Sequence, residues 1–229
     1  MTVSEYKDNL KSQPMPTYSP GEELFNWISH GLGVVIGFVV LGYVIAFSIL
    51  ESYGPWQIVA LIFYACSIIV LYATSTIYHA LPKGKTIKKF FRLLDHNTIY
   101  ILIAGTYAPI GAFAFGGTSY GLIIMSIEIL GLLVGTVLNI FNLNGKVTQV
   151  ITVVLYVVMG WLIVIFYPAI SMVPLPSMIL ILLGGISYTL GVIFYAIGRK
   201  IKWMHSIFHL FVLTGTILQL IGVFLLILT

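Results

Sequence analysis

Long runs of apolar residues, separated by short polar breaks, fill most of the chain after residue 26. A helix needs about 20 apolar residues to cross the hydrocarbon core of a bilayer. The runs are continuous, whereas the strands of a membrane β-barrel alternate apolar with polar residues, so the pattern favours helices. It predicts an all-α, polytopic membrane protein built as a bundle of seven transmembrane helices. The predicted spans are Trp27–Leu50, Trp56–Ala80, Thr98–Phe115, Tyr120–Leu138, Thr148–Tyr167, Ser177–Ile197 and Ser206–Leu228.

The segment before the first span differs in composition from the rest of the chain. It is polar and contains Pro14, Pro16 and Pro20, which predicts a disordered tail because such a segment buries little apolar surface. The domain organisation expected from the sequence is therefore a tail over residues 1–26 and a transmembrane domain over residues 27–229. Between the spans, glycine, proline and asparagine mark the turns.

Composition excludes a soluble protein. Hydrophobic residues make up 59% of the chain and charged residues only 8%, whereas soluble domains carry about 25% charged residues. The formal charge of +4 could suggest a nucleic-acid partner, but basic residues in a membrane protein more often mark the cytoplasmic loops. We therefore expect membrane lipids, and no nucleic acid, as partners.

The basic residues also predict the orientation of the chain. With seven spans, all of them fall on one side of the membrane, and by the positive-inside rule that side is cytoplasmic. The N-terminus is then cytoplasmic and the C-terminus lies outside, as in a multi-pass protein of the plasma (inner) membrane. The residues concerned are Lys7, Lys11, Lys83, Lys85, Lys88, Lys89, Arg92, Lys146, Arg199, Lys200 and Lys202.

Five polar residues share one depth in this topology. His79 ends the second span, Asp95 precedes the third, and His205 and His209 open the seventh. Ser75 lies one helical turn deeper than His79 and on the same face, since residues four apart are neighbours on a helix. Ionisable residues within a membrane are costly and mark candidate functional sites.

Three imidazoles with an open fourth position are typical of a catalytic zinc site. His205 and His209 could bind one ion from one helix face, and His79 could supply the third ligand. Asp95 could then orient or deprotonate a water molecule, and Ser75 could donate a hydrogen bond to a developing oxyanion. Each residue alone has a simpler interpretation: an interfacial anchor for a histidine, a small packing residue for Ser75 and a helix cap for Asp95.

Three motifs carry a resemblance to a known family. S-T-I-Y-H over Ser75–His79, Leu94-Asp95 before the third span, and H-S-I-F-H over His205–His209 resemble the motifs of the hemolysin III family. The stretch E-E-x-x-N-x-x-S-H-G over Glu22–Gly31 resembles its bacterial branch. The family is grouped with the progestin and adiponectin receptors and is related to the alkaline ceramidases.

The resemblance implies a seven-helix fold with a zinc ion near the cytoplasmic face. It implies that His79, His205 and His209 are the ligands and that Asp95 and Ser75 act beside them. It also suggests hydrolysis of a lipid amide, so we interpret the protein as a zinc-dependent intramembrane hydrolase of a lipid amide or ester.

Other interpretations stay open at this stage. The protein could be a membrane-perturbing cytolysin or a membrane-homeostasis protein without turnover, or a sensor of zinc or lipid. It could also be a transporter or channel in which Glu128 and Gln219 line a path. His30 could reach the histidine cluster, while His96 reads as an interfacial residue.

Overall fold

The computed structural model describes residues 14–198 and 200–229, and the regular elements in these ranges are all helices. Lys7, Lys11 and Arg199, which contribute to the predicted orientation, lie outside the described residues. In chain order the helices are α1 (Pro20–Leu50), α2 (Pro55–Ala80), α3 (Thr86–Phe113), α4 (Ser119–Asn142), α5 (Lys146–Gly160), α6 (Leu162–Ile165), α7 (Tyr167–Ile170), α8 (Leu175–Ile197) and α9 (Met204–Ile227).

Within the described residues, five helices are long and apolar enough to cross a membrane: α1, α2, α4, α8 and α9. Their outward faces carry large apolar side chains, such as Val39, Ile49 and Trp56, which are 67%, 79% and 82% exposed. Such surfaces are stable against lipid and not against water. The protein is thus an all-helical, multi-pass membrane protein. The full count of seven spans and the orientation of the termini stay predictions.

The helices pack mostly in chain order, and the last helix closes the bundle. α1 packs on α2, α2 on α3, α3 on α4 and α8 on α9, while α9 also contacts α1 and α3. This closure brings the start of α9 next to the end of α2.

The core of the bundle contains large aromatic side chains. Tyr64, Tyr72 and Tyr100 are among the largest fully buried side chains.

Two Gly-x-x-x-Gly patterns let helices approach each other within this bundle. A Cβ atom at Gly33 of α1 would overlap the Tyr72 ring of α2, and one at Gly135 of α4 would overlap Tyr100 of α3. Gly131 likewise faces Met159 of α5. These contacts are all intramolecular, and they show why the side chain at these positions must be a hydrogen.

The first helix begins earlier than its apolar pattern indicated. Ser19 caps α1, its hydroxyl accepting from the Glu22 N–H while the Glu22 carboxylate accepts from the Ser19 N–H at 2.8 Å. Pro20 stands at the first helical position, where its missing N–H costs nothing. The expected disordered tail is therefore wrong for residues 20–26, because this capping box starts an ordered helix at Pro20.

The third helix also begins earlier, at Thr86 and not at Thr98. The basic segment predicted as a loop forms its first turns, and Lys88 and Arg92 are buried there. Asp95 consequently lies inside α3. Its interpretation as a cap of this helix is wrong, because a capping residue must precede the first turn.

The fifth predicted span, Thr148–Tyr167, is not one continuous helix. It breaks after Gly160 into α5, α6 and α7. The Tyr107 hydroxyl of α3 donates to the Gly160 carbonyl at 3.1 Å and accepts from the Ile163 N–H at 3.0 Å. Backbone groups freed inside a membrane need such partners, and a sequence pattern does not reveal a partner on another helix.

Candidate metal site

Three histidines converge where the end of α2 meets the start of α9. His79 lies in the last turn of α2, and His205 and His209 lie in the first two turns of α9. All three are buried, at 2%, 7% and 0% exposure. One ring nitrogen from each lies within 4.8 Å of the others, and the Nε2 atoms of His205 and His209 are 3.2 Å apart.

The donor atoms of these histidines fit a metal ion. In a tetrahedral zinc site, with zinc–nitrogen bonds of 2.0–2.1 Å, two ligand nitrogens are about 3.3 Å apart, which matches the His205–His209 separation. His79 Nε2 is buried and has no hydrogen-bond partner among the described residues. A buried nitrogen left without a partner is costly unless a ligand occupies its lone pair. This histidine triad can therefore hold a metal ion.

The His79 ring is held by a contact at its Nδ1 atom, while its Nε2 atom has no described partner. Its Nδ1 lies 2.7 Å from Oε2 of Glu23, in the first turn of α1. The other oxygen, Oε1, accepts from Lys88 Nζ at 2.9 Å, and Lys88 also donates to the Leu81 carbonyl at 2.8 Å. Asn26 Nδ2 is 3.5 Å from the same ring nitrogen, which is a weak contact at most.

His205 and His209 are positioned by the turn that precedes α9. Trp203 has a φ of 67°, a left-handed conformation that bulky residues rarely adopt. Its N–H donates to Oε1 of Glu22 at 2.7 Å. The neighbouring residues Glu22 and Glu23 thus contact the two segments that carry the histidines, and the first turn of α1 links them. Neither glutamate was assigned a role in the site from the sequence, because the apolar pattern starts the first span only at Trp27.

Two aromatic rings pack on the cluster. Tyr18 stacks on His205 with ring centroids 4.7 Å apart, and His30 stacks on His209 with centroids 3.7 Å apart. Burial raises the pKa of the Tyr18 phenol well above its ordinary value. The expectation that His30 could reach the cluster agrees with this contact, while His30 lies outside the group that could hold a metal.

Ser75 and Asp95 lie on the wall of a cavity of about 400 Å³ that also contacts His205 and His209. Ser75 is 1% exposed, and its hydroxyl lies beside the Asp95 carboxyl. Asp95 is partly buried, and its carboxyl lies near Ser75 and Arg92. The structure therefore brings these two residues to the same cavity as the two α9 histidines.

The same cavity extends away from the histidines into the bundle. Its deeper wall includes Tyr107, Ile110, Ile181, Val212 and Gln219, and it is mostly apolar. Ligand cavities typically combine such apolar walls with a few polar groups at one end. The arrangement can hold a chain-like apolar molecule with its polar group beside Ser75, Asp95 and the α9 histidines.

The remaining predicted residues have different surroundings. His96 lines the cavity near Asp95. Glu128 of α4 is fully buried, and neither carboxylate oxygen has a hydrogen-bond partner within the described ranges. Glu128 is also absent from the wall of the cavity that Gln219 lines, so these two residues do not share one path among the described residues.

Sequence comparisons identify relatives over most of the chain. The profile of the family described as "Haemolysin-III related" matches residues 18–220. The chain is 37% identical over 197 residues to the Hemolysin-3 homolog of Bacillus subtilis (strain 168), covering 85% of this chain and 89% of that protein. It is 33% identical over 197 residues to Hemolysin-3 of Bacillus cereus, covering 85% and 87%. Identity to the human Monocyte to macrophage differentiation factor is 27% over 184 residues, covering 70% and 67%.

Proposed function

The chain belongs to the haemolysin-III related family, and on that premise we propose that it is an intramembrane zinc-dependent hydrolase of a lipid amide or ester. The observation that carries this proposal is the convergence of three buried imidazoles beside a cavity that Ser75 and Asp95 also line. In this proposal the bundle crosses the inner membrane seven times. The basic ends of its helices face the cytoplasm, so the site lies just inside the inner leaflet.

His79, His205 and His209 are the proposed zinc ligands. Three neutral imidazoles favour zinc over the hard cations that prefer oxygen ligands, and three protein ligands leave one position open for chemistry. A bound zinc ion supplies Lewis acidity, which polarises a carbonyl group and makes water a better nucleophile at neutral pH.

Asp95 and Ser75 handle protons and charge in this proposal. The Asp95 carboxylate accepts a proton from the attacking water and later returns it to the leaving amine or alcohol, as a general base and then a general acid. The Ser75 hydroxyl, which lines the cavity beside Asp95, donates a hydrogen bond to the oxyanion that develops at the carbonyl.

The cavity provides the reason for a lipid substrate. Its apolar wall reaches from the site to Gln219, and an acyl chain buried there would leave its carbonyl group at the polar end. A substrate from the bilayer reaches the cavity laterally between helices, and the apolar wall keeps its acyl chain out of water throughout.

Metal content is the first test of the proposal. Purified full-length protein in lipid nanodiscs should contain about one zinc ion per chain, measured by mass spectrometry of the metal, because one three-histidine site binds one ion. His209→Ala should lose most of it, whereas the control His96→Ala, outside the cluster, should retain it. Equal zinc in wild type and His209→Ala would overturn the proposed site.

Hydrolysis is the second test. Zinc-loaded protein in nanodiscs should release fatty acid from an N-acyl lipid or from its ester analogue, and comparing these two substrates identifies the bond that is cleaved. Release that also occurs at the same rate with His209→Ala would show that the activity belongs to a contaminant.

A second candidate function comes from the name of one relative. The 33% identical Bacillus cereus protein is called Hemolysin-3, and we take membrane lysis from that name as the second candidate. Dye release from liposomes distinguishes the two functions. Lysis that persists in His79→Ala and Asp95→Ala would support this candidate. Lysis that disappears when zinc is removed would support the hydrolase.

A further inference from the structure

Glu23 connects three helices at the candidate metal site. It lies in the first turn of α1, its Oε2 is 2.7 Å from His79 Nδ1 of α2, and its Oε1 is 2.9 Å from Lys88 Nζ of α3. The side chain of Glu23 is 12% exposed, while those of His79 and Lys88 are 0% and 3% exposed. A carboxylate this enclosed, with one basic partner on each oxygen, is held in one orientation.

This contact defines which nitrogen of His79 carries the hydrogen. A carboxylate only accepts hydrogen bonds, and the Lys88 ammonium group on its other oxygen favours that ionised form. The hydrogen in the Glu23–His79 bond therefore belongs to Nδ1. The lone pair is then on Nε2, which is the buried nitrogen without a partner.

We propose that Glu23 is a positioning residue that fixes the tautomer and the ring orientation of His79 so that Nε2 is presented to the metal. The inference rests on the proposed metal site and extends it to the start of α1. Histidine ligands usually donate their second N–H to a carboxylate or carbonyl, and loss of that partner typically lowers metal affinity about 10–100-fold.

The Lys88 ion pair offers a competing explanation, which the experiment must separate. Substituting Glu23 alone also leaves a buried lysine without its carboxylate, and that by itself disturbs the fold. The double variant Glu23→Met/Lys88→Met removes both charges at nearly unchanged volume. Lys88→Met alone removes the ion pair but keeps the Glu23–His79 bond. The exposed Glu51 provides the matched control, Glu51→Met.

The first measurement reads the tautomer directly and needs no metal. Nitrogen-15 NMR of histidine-labelled, metal-free protein in nanodiscs distinguishes the two tautomers, and His79→Gln assigns the His79 signals. We expect a strongly hydrogen-bonded Nδ1 proton in wild type, Lys88→Met and Glu51→Met. In the double variant that signal should disappear, and the ring should populate the Nε2–H tautomer. An unchanged His79 spectrum in the double variant would overturn the proposal.

The second measurement is zinc affinity by chelator competition. The double variant should bind zinc about 10–100-fold more weakly than wild type. Lys88→Met should lose less, and Glu51→Met should match wild type. Equal losses in Lys88→Met and in the double variant would assign the effect to the ion pair and contradict a positioning role.

The two measurements also separate this inference from the proposed function. If wild type binds no zinc, the proposed function fails, while the tautomer measurement still decides whether Glu23 orients His79. If wild type binds zinc and the double variant binds it equally well, the metal site stands and the role of Glu23 fails.

Discussion

The histidine cluster and Glu128 are both ionisable groups buried inside the bundle, yet their surroundings are opposite. The cluster gathers side chains from α1, α2 and α9, and a hydrogen bond, stacked rings and the cavity wall surround it. Glu128 is enclosed in α4 without a hydrogen-bond partner for either oxygen in the described part of the chain. Burial of an ionisable group therefore does not by itself distinguish a site from a packing position.

The histidine cluster differs from Glu128 because several polar side chains meet there at one cavity. Each buried polar group costs free energy within a membrane, and at the histidine cluster hydrogen bonds offset part of this cost while a shared ligand would offset the cost of the unpaired His79 Nε2. The buried carboxyl group of Glu128 also costs free energy, but no other polar group of the described residues pairs with it.

Asp95→Asn should lower the rate of lipid hydrolysis about 10²–10⁴-fold, because the amide cannot accept the proton of the attacking water. The zinc content should not change, since Asp95 lies outside the histidine triad. Single-turnover rates and metal content of the same nanodisc preparation check both parts. Full activity in this variant would remove Asp95 from the proposed mechanism.

Zinc removal should destabilise the protein by about 4 kcal/mol relative to protein with free zinc at 1,000 times its dissociation constant. An ion held by the histidine triad would link α2 to α9, so its loss should weaken the closure of the bundle. Thermal unfolding in nanodiscs with and without a chelator measures the shift. His205→Ala provides the control, and a shift as large as that of wild type in this variant would place the metal elsewhere.

Glu128→Met should stabilise the protein by about 1–3 kcal/mol, the typical cost of a buried polar group without a partner. Zinc content and hydrolysis should match wild type, because Glu128 does not line the cavity of the histidine cluster. Unfolding midpoints and the metal assay test this. Loss of activity with normal folding would instead indicate a functional path through α4 and would revive the transporter interpretation.

His30→Ala should have the smallest effect, a loss in zinc affinity of about 10-fold, since it removes the ring stacked on His209. His30→Phe keeps a ring of similar shape and should lose less. Chelator competition compares the two variants. If His30→Phe were as weak as His209→Ala, His30 would be a ligand and not a packing partner.

The apolar pattern was sufficient for the helical, multi-pass architecture. Continuous runs of about 20 residues have few alternatives in a protein with so little charge, and α2 begins at Pro55 against a predicted Trp56. Prediction failed where tertiary partners decide the backbone. The break after Gly160 depends on the hydroxyl of Tyr107 from another helix.

The histidine cluster could be predicted because the helical period places residues four apart on one face and the basic loops place His79, His205 and His209 at one depth. Its supporting residues could not. Glu22 and Glu23 reach the site only because α1 extends beyond the bilayer-spanning length and packs on α2 and α9. The signal that could have revealed this was the capping box at Ser19 and Glu22, which marks Pro20 as the helix start.

Zinc K-edge X-ray absorption of the purified, full-length protein tests the central claim most directly, because it reports the ligands of the ion itself. We expect three imidazole nitrogens at 2.0–2.1 Å together with one oxygen ligand, and loss of this signal in His79→Ala. Zinc that is absent from wild type, or whose spectrum shows no imidazole and is unchanged in His79→Ala, would contradict the account.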